Sequence, residues 1–288
     1  MALKPLSPRY DVVFKRIFGP DHISVLADLL STVLDLPAEE YEDIRLIDPH
    51  LLRKHQRDKL GILDLRVTTK SGKVLNVELQ VAPQPSIWKR ISYYNARLLT
   101  DQIASGDEYN KINSTISILI SYPVLIEDSR EYHHRFRLYD ERAQLSYPDS
   151  PEIHVLEVKK VQDADGSPLA HWLRFFAAET VEEFEMTSQA RPAIAEAWGV
   201  IQHLSADEET RLVAEYEEMA RRDEVDRRKG AYKQGHQEGH QEGLQEGLQE
   251  GVFRVARNLL RKNMPYDDIV DATGLPLEEV RRLALECT

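Results

Sequence analysis

The feature that most constrains the fold is a strand-like stretch from residue 73 to residue 81. Between residues 75 and 81 its odd positions hold only leucine or valine, and its even positions hold Asn76, Glu78 and Gln80. Because side chains of a strand alternate between its two faces, these three polar residues share one face. A strand with one face in solvent has the same pattern. The alternation therefore predicts a strand with one apolar and one polar face, and its surroundings decide whether the polar face is functional.

A second strand-like stretch, residues 61–69, precedes it and contains one acid, Asp64, between apolar neighbours. A buried carboxylate is costly unless it is paired or binds a cation. Directly opposed residues of antiparallel strands point to the same face, so the linker Lys70-Ser71-Gly72 decides whether the acids meet. A two-residue loop opposes Asp64 with Leu79, whereas a three-residue loop opposes it with Glu78 and ends on the glycine that such loops prefer. We therefore predict a three-residue turn and two carboxylates about 5 Å apart.

Two carboxylates at that separation repel each other unless a cation lies between them. Oxygen ligands select Mg²⁺, with Mn²⁺ as a substitute. Such an ion polarises a phosphoryl oxygen and lowers the pKa of a bound water. The amide of Gln80 cannot take up a proton, but it can orient that water or donate to a phosphate. On a phosphodiester, such a site would allow hydrolysis by metal-activated water, with Asp64, Glu78 and Gln80 as the candidate catalytic residues.

Helices and strands alternate over the first 160 residues. The predicted elements, in chain order, are helix 9–36 broken at Gly19-Pro20, strand 44–49, the hairpin, helix 85–105, and strands 113–121, 132–139 and 153–158. This order predicts an α/β fold in which helices flank a mixed central sheet.

Two further motifs accompany the hairpin. Asp11-x-x-Phe14-Lys15-x-x-Phe18-Gly19 lies near the start, and Arg90-x-x-Tyr93-Tyr94-x-x-Arg97 lies in the helix after the hairpin. With Leu63-Asp64-Leu65, Val77-Glu78-Leu79-Gln80 and a tail of glycine and glutamate repeats, they resemble the Rpn family of recombination-promoting nucleases and transposases, within the PD-(D/E)XK superfamily. The resemblance is specific over residues 7 to about 160, whereas in the tail it is limited to the presence of glycine and glutamate repeats. A lysine is usual in the superfamily where this chain has Gln80.

The resemblance implies a restriction-endonuclease-like core and Mg²⁺-dependent cleavage of DNA, linked to recombination or mobile elements. It implies that Asp64 and Glu78 hold the metal, with the carbonyl of Leu79 as a third ligand, and that Gln80 stands in for the lysine. Asp11 is a further candidate ligand, although an acid in the first turn of a helix also suits the helix dipole.

Basic and aromatic residues near the hairpin are candidates for DNA binding. Arg90 and Arg97 are seven positions apart and share a helix face near Lys89 and Tyr94, which suits phosphate contacts. Lys15, on the first helix, is a further candidate. The alternatives are a solvated helix face with tyrosines in the core, and ordinary surface charge for Lys15.

The chain beyond residue 160 is predicted to be helical. We predict four segments: a PD-(D/E)XK nuclease-like domain over 1–160, a helical extension over 161–205, a charged helix and Gly-x-Gln-Glu repeat linker over 206–251, and a small helix-turn-helix-like segment over 252–288. Glycines every four residues weaken the repeat helix, so we expect a flexible spacer or a helix held by a partner chain. A homo-oligomer formed through this tail is one such arrangement.

Composition limits the range of partners and locations. The 288-residue chain has a net charge of -12, which disfavours coating nucleic acid by bulk attraction, whereas a local basic patch suffices for a nuclease that binds DNA. No apolar run is long enough for a membrane span or a signal peptide. The single cysteine, Cys287, allows no disulfide within the chain. We therefore expect a cytoplasmic protein.

The leading hypothesis is a DNA endonuclease of low sequence specificity. A catalytically silent nuclease-fold module that binds DNA or protein is the alternative, because the usual lysine is missing and the chain is acidic. Cleavage of RNA would use the same residues.

Overall fold

The computed structural model of the chain describes residues 4–49 and 64–286. These residues fall into two compact units, Met1–Glu218 and Met219–Thr288. Residues 61–63 of the first predicted strand, including the motif residue Leu63, lie outside the described residues, as does Cys287.

The first unit is built on a mixed sheet of six strands in the order β1-β2-β3-β4-β8-β5. Strands β3, β4 and β8 are parallel, and the remaining neighbours are antiparallel. A separate two-stranded sheet, β6-β7, was not predicted as such. The strands are β1 Arg45–Ile47, β2 Leu65–Thr68, β3 Val74–Gln80, β4 Thr115–Ser121, β5 His133–Phe136, β6 Tyr139–Asp140, β7 Leu145–Ser146 and β8 Glu152–Glu157. The mixed sheet confirms the predicted α/β fold class.

Helices of the first unit flank the sheet, and the second unit consists mainly of helices. They are α1 Asp11–Ile17, α2 Ile23–Val33, α3 Ile87–Thr100, α4 Pro168–Ala177, α5 Val181–Ser188, α6 Pro192–Ala206, α7 Glu208–Arg261, α8 Tyr266–Thr273 and α9 Leu277–Glu286. Among the described residues, no helix is both long and apolar enough to span a bilayer.

One face of the sheet forms the main hydrophobic core with helices α1, α2, α4, α5 and α6. Its largest fully buried side chains are aromatic: Trp172, Phe14, Phe18, Phe175, Phe176 and Phe184. The region predicted as a helical extension, residues 161–205, therefore shares its core with the sheet. Burial of this apolar surface is the main favourable term for folding the unit.

Helix α3 covers the opposite face of the sheet. Ile87 and Ile91 pack on Leu119 of β4, and Leu98 packs on Val74 of β3. The polar side of β3 is consequently buried between sheet and helix, with Glu78 only 4% exposed. The alternative of a strand with a solvated polar face is therefore wrong.

The hairpin has the predicted register. Leu65 pairs with Val77 and Thr68 with Val74, and the N–H of Thr69 donates to the carbonyl of Lys73 at 3.1 Å. The turn is thus the three-residue loop Lys70-Ser71-Gly72, and Gly72 has a φ of +88°. Continuing the pairing by one residue places Asp64 opposite Glu78.

The second unit is helical. A small apolar cluster joins the end of α7 to α8 and α9 through Ala256, Ile269, Val280 and Leu283. Residues 208–261 form one continuous α-helix that includes the repeat glycines. The repeat segment is helical here, and its role as a linker stays a prediction.

We expect the substitution Gly72→Ala to destabilise the first unit more than Gly106→Ala does. Both glycines have a positive φ, which costs another residue about 1 to 2 kcal/mol. At Gly72 the added Cβ would also lie 2.9 Å from the side-chain nitrogen (Nδ2) of Asn113, whereas a Cβ at Gly106 would have no neighbour within 4 Å. Urea denaturation of the two variants measures the difference. Equal losses of unfolding free energy would contradict the close approach at the turn.

Candidate active site

The two acids meet where β2 begins and β3 ends. The carboxylate of Asp64 accepts a hydrogen bond from the N–H of Leu79 at 2.7 Å, and the N–H of Asp64 points to the carboxylate of Glu78 at 3.4 Å. Each carboxylate is therefore oriented by the main chain of the opposite strand. This arrangement depends on the register, because a shift of one residue would turn one acid to the apolar face.

Burial sets the electrostatics of this pair. Burial raises the pKa of Asp64, while the hydrogen bond from Leu79 opposes the rise. Burial and the adjacent charge of Asp64 raise the pKa of Glu78 to about 7. Two carboxylates that resist ionisation side by side form a site that a cation would stabilise.

Arg90 is the cation that contacts the acid pair. Its guanidinium lies 2.9 Å from the Glu78 carboxylate and 3.1 Å from the side-chain oxygen of Gln84. It also lies over the ring of Tyr94, 5.2 Å from the ring centroid. The sequence pattern predicted Arg90 and Tyr94 as DNA-binding residues, and it gave no sign that Arg90 reaches Glu78.

Gln80 shares the strand face of Glu78 but uses its amide locally. Its side-chain nitrogen donates to the main-chain carbonyl of Ala82, just beyond the end of β3. The side chain of Gln80, at the position where lysine is usual, is thus directed toward the end of β3.

Helix α1 brings further charges close to the pair. Lys15 forms a 2.7 Å ion pair with Asp11, and the charges of both residues act on the pKa of Asp64. The N–H groups of Asp11 and Val12 donate to the carboxylate of Glu217, at 2.8 and 3.2 Å. Glu217 was missed from the sequence because it lies 206 positions from Asp11 and carries no local motif.

The donor set fits a hard divalent cation. The N–H and C=O groups of a strand residue face the same edge, so the Leu79 carbonyl is directed to the edge where its N–H meets Asp64. Two carboxylates and this carbonyl are all-oxygen ligands, as Mg²⁺ and Mn²⁺ prefer. Within residues 4–49 and 64–286, no three His, Cys, Asp or Glu side chains are grouped closely enough to share a metal. The metal role of Asp11 therefore stays a prediction.

The other predicted DNA-binding residues on α3 have different surroundings. Lys89 is exposed to solvent. Arg97 is only 15% exposed and pairs with Asp101 at 3.3 Å, so a phosphate would compete with this ion pair.

A pair of acids on a hairpin, in a mixed sheet flanked by helices, is the architecture of the PD-(D/E)XK nucleases. A family model described as PD-(D/E)XK nuclease family transposase matches residues 8–231, and the chain belongs to this family. Membership confirms the family expected from the sequence and supports a nuclease or transposase-like function. Such nucleases generally use divalent metal ions and act on DNA. Comparison with curated proteins and with solved structures gave no match.

We expect Glu78→Gln to stabilise the metal-free protein at pH 8 by roughly 1 to 3 kcal/mol, since one pKa unit corresponds to about 1.4 kcal/mol. The folded-state pKa of Glu78 is raised from its ordinary value of 4.5 to about 7. The contribution of Glu78 to the unfolding free energy is therefore greatest below pH 4.5 and is lost as the pH rises through 7, whereas glutamine has no such loss. Denaturation in EDTA from pH 5 to pH 8 measures the effect, with the exposed Glu42→Gln as control. A parallel pH dependence in wild type and Glu78→Gln would contradict the burial of this charge.

Proposed function

We propose that this protein is a Mg²⁺-dependent DNA endonuclease of low sequence specificity that acts in recombination or on mobile elements. The observation that carries the proposal is the pair of half-buried Asp64 and buried Glu78, which the hairpin register places opposite each other. The N–H of Leu79 donates to the carboxylate of Asp64. Family membership supports the reaction class, and the all-oxygen donor set supports the choice of ion.

In this proposal Asp64 and Glu78 hold the cation. When bound, it would polarise the phosphoryl oxygen, lower the pKa of the attacking water and offset the charge on the leaving oxygen. The strand pairing sets the separation of the two carboxylates before any ligand arrives, so little reorganisation is needed. Gln80, whose nitrogen donates to Ala82, would orient the attacking water through its amide oxygen.

Arg90 would supply the positive charge that the usual lysine provides. Its guanidinium forms an ion pair with Glu78 at 2.9 Å. A guanidinium that donates to Glu78 from one nitrogen can redirect its donors to a phosphate once the carboxylate is engaged elsewhere. This role explains how the reaction could proceed although position 80 is glutamine.

Low sequence specificity follows from the kind of contacts available. Arg90 pairs with Glu78, the charge of Lys15 acts on Asp64, and Lys89 adjoins Arg90 in the chain. Such cations bind phosphates, which carry no sequence information. These residues would position the backbone of the duplex without reading its bases.

We expect Mg²⁺-dependent nicking of supercoiled plasmid by the wild-type protein, and a loss of about a hundredfold or more for Asp64→Asn and Glu78→Gln, because each removes a metal ligand. Arg90→Gln should lower the rate at saturating DNA and metal by about a hundredfold, the cost of one transition-state donor. Arg90→Lys should recover part of that rate. The exposed pair Arg45 and Asp43 gives matched controls, Arg45→Gln and Asp43→Asn, which should nick at the wild-type rate.

Equal nicking by wild type, Asp64→Asn and Glu78→Gln would end the proposal. The second candidate, a silent nuclease-fold module that binds DNA or protein, is favoured by the local engagement of Gln80. Such a module should bind no Mn²⁺ in calorimetry, with or without DNA. Single-stranded RNA in the same assay would show whether the site cleaves RNA as well.

We also propose that helix α7 pairs two or more copies of the chain. Leu212, Tyr216 and Met219 are spaced at helical intervals along α7 and are 50%, 61% and 51% exposed, so they form an apolar stripe without cover from the described residues. We expect light scattering to report an oligomer for the wild type and a smaller species for Leu212→Glu with Met219→Glu. The exposed Leu285→Glu serves as control. A monomeric wild type at high concentration would contradict the pairing.

A further inference from the structure

A row of aromatic rings lies beside the first turn of α3. Trp88 of α3 contacts Phe136 of β5 nearly edge-on, with ring centroids 5.8 Å apart. The ring of His134 lies next to that of Phe136, with centroids 6.4 Å apart and an angle of 27° between the two ring planes. We call Trp88, Phe136 and His134 the ring row.

The ring row is on the same face of the sheet as the acid pair. Glu78 is paired with Leu119, Leu119 with Val155, and Val155 with His134, so one line of paired residues crosses four strands. At about 4.8 Å per strand, His134 is roughly 14 Å from the strand of Glu78. Arg90, which contacts Glu78, is two positions after Trp88 on α3. Ile87 and Ile91 of α3 cover Leu119 between the two sites, so a ligand that contacts both the acid pair and the rings would pass over the solvent side of α3.

Two of the three rings, Trp88 and Phe136, are exposed, whereas the side chain of His134 is only 17% exposed. Trp88 is 38% and Phe136 44% exposed, whereas Trp172 and Trp198 are 0% and 7% exposed. Exposed rings of this kind provide flat surfaces on which a ligand ring can stack.

The charges around the ring row favour a nucleic-acid strand over a protein. Lys89 and Arg90 follow Trp88 directly, so cations adjoin the rings. The acid nearest His134 is Glu157, which is fully buried, pairs with Lys160 at 2.6 Å and accepts from the N–H of Leu125 at 2.6 Å. Its charge is compensated and does not face a phosphate. Cations beside exposed rings are the combination that binds unpaired strands.

We propose that the ring row stacks the unpaired bases of a DNA strand whose backbone runs along α3 to the acid pair. The protein then prefers single-stranded or frayed DNA to intact duplex. The kind of ligand rests on the proposed nuclease function, whereas binding at the rings does not require cleavage.

Trp88 reports this contact directly, because it is the exposed one of the chain's three tryptophans. In EDTA, where no metal-dependent cleavage occurs, a thymidine oligonucleotide should quench the tryptophan fluorescence of the wild type, and a duplex of equal length should quench it less. Trp88→Phe should lose the quenching and retain most of the affinity, because phenylalanine still stacks. Phe136→Ala and Trp88→Ala should weaken binding of a labelled oligonucleotide by roughly 5- to 100-fold, the range for loss of one stacked base.

Tyr109→Ala, at a ring that is 82% exposed and outside the ring row, should bind like the wild type. Quenching that persists in Trp88→Phe, or unchanged affinity in Phe136→Ala, would overturn the assignment and leave the rings as a surface for an apolar protein partner. If plasmid nicking depends on Asp64 while these variants keep full affinity, the ring row alone fails. A wild type that neither binds oligonucleotides nor nicks plasmid would overturn both proposals.

Discussion

The first unit is organised around two carboxylates, Asp64 and Glu78, which repel each other when both are charged. Asp64 and Glu78 are held together by main-chain hydrogen bonds across the hairpin, in a place where burial disfavours their charge. The energy to hold them comes from elsewhere, namely from the apolar core on the other face of the sheet. The guanidinium of Arg90 offsets part of the repulsion. Stability and chemistry are thus assigned to opposite faces of one sheet.

Helix α3 serves both purposes at once. Its apolar residues Ile87, Ile91 and Leu98 fix it on the sheet, and that attachment determines where its polar residues lie. Because residues three or four apart share a helix face, the rotation that buries Ile87 and Ile91 also directs Arg90 toward Glu78. Trp88 does not share the helix face of Arg90, and it contacts Phe136 of β5 instead. A single packing interface therefore positions the site cation and the exposed ring.

The hairpin was predictable from sequence because its information is local. The alternation of polar and apolar residues predicted which side chains of β3 share a face. The glycine at the end of a three-residue loop predicted that Asp64 lies opposite Glu78. The contacts of Arg90, Glu217 and Phe136 were not predictable, because each depends on how distant elements pack. Gln80 illustrates the limit within the motif itself. Its place on the strand face followed from alternation, whereas its hydrogen bond to Ala82 depends on the path of the chain after β3.

The acidic charge of the chain also bears on how DNA would approach. Without a cation, Glu78 engages Arg90, and the acid pair repels a phosphate. Neutralising the carboxylates would remove the repulsion and free the guanidinium for the backbone of the strand. In the proposed function, the ion pair between Glu78 and Arg90 would oppose metal or DNA when either binds alone, because either one has to break it. When both bind, that cost would be met only once. Since coupling between two ligands is reciprocal, DNA would tighten the hold on the cation as much as the cation tightens the hold on DNA. In a chain with a net charge of -12, this coupling would make DNA bind more tightly once the cation is present.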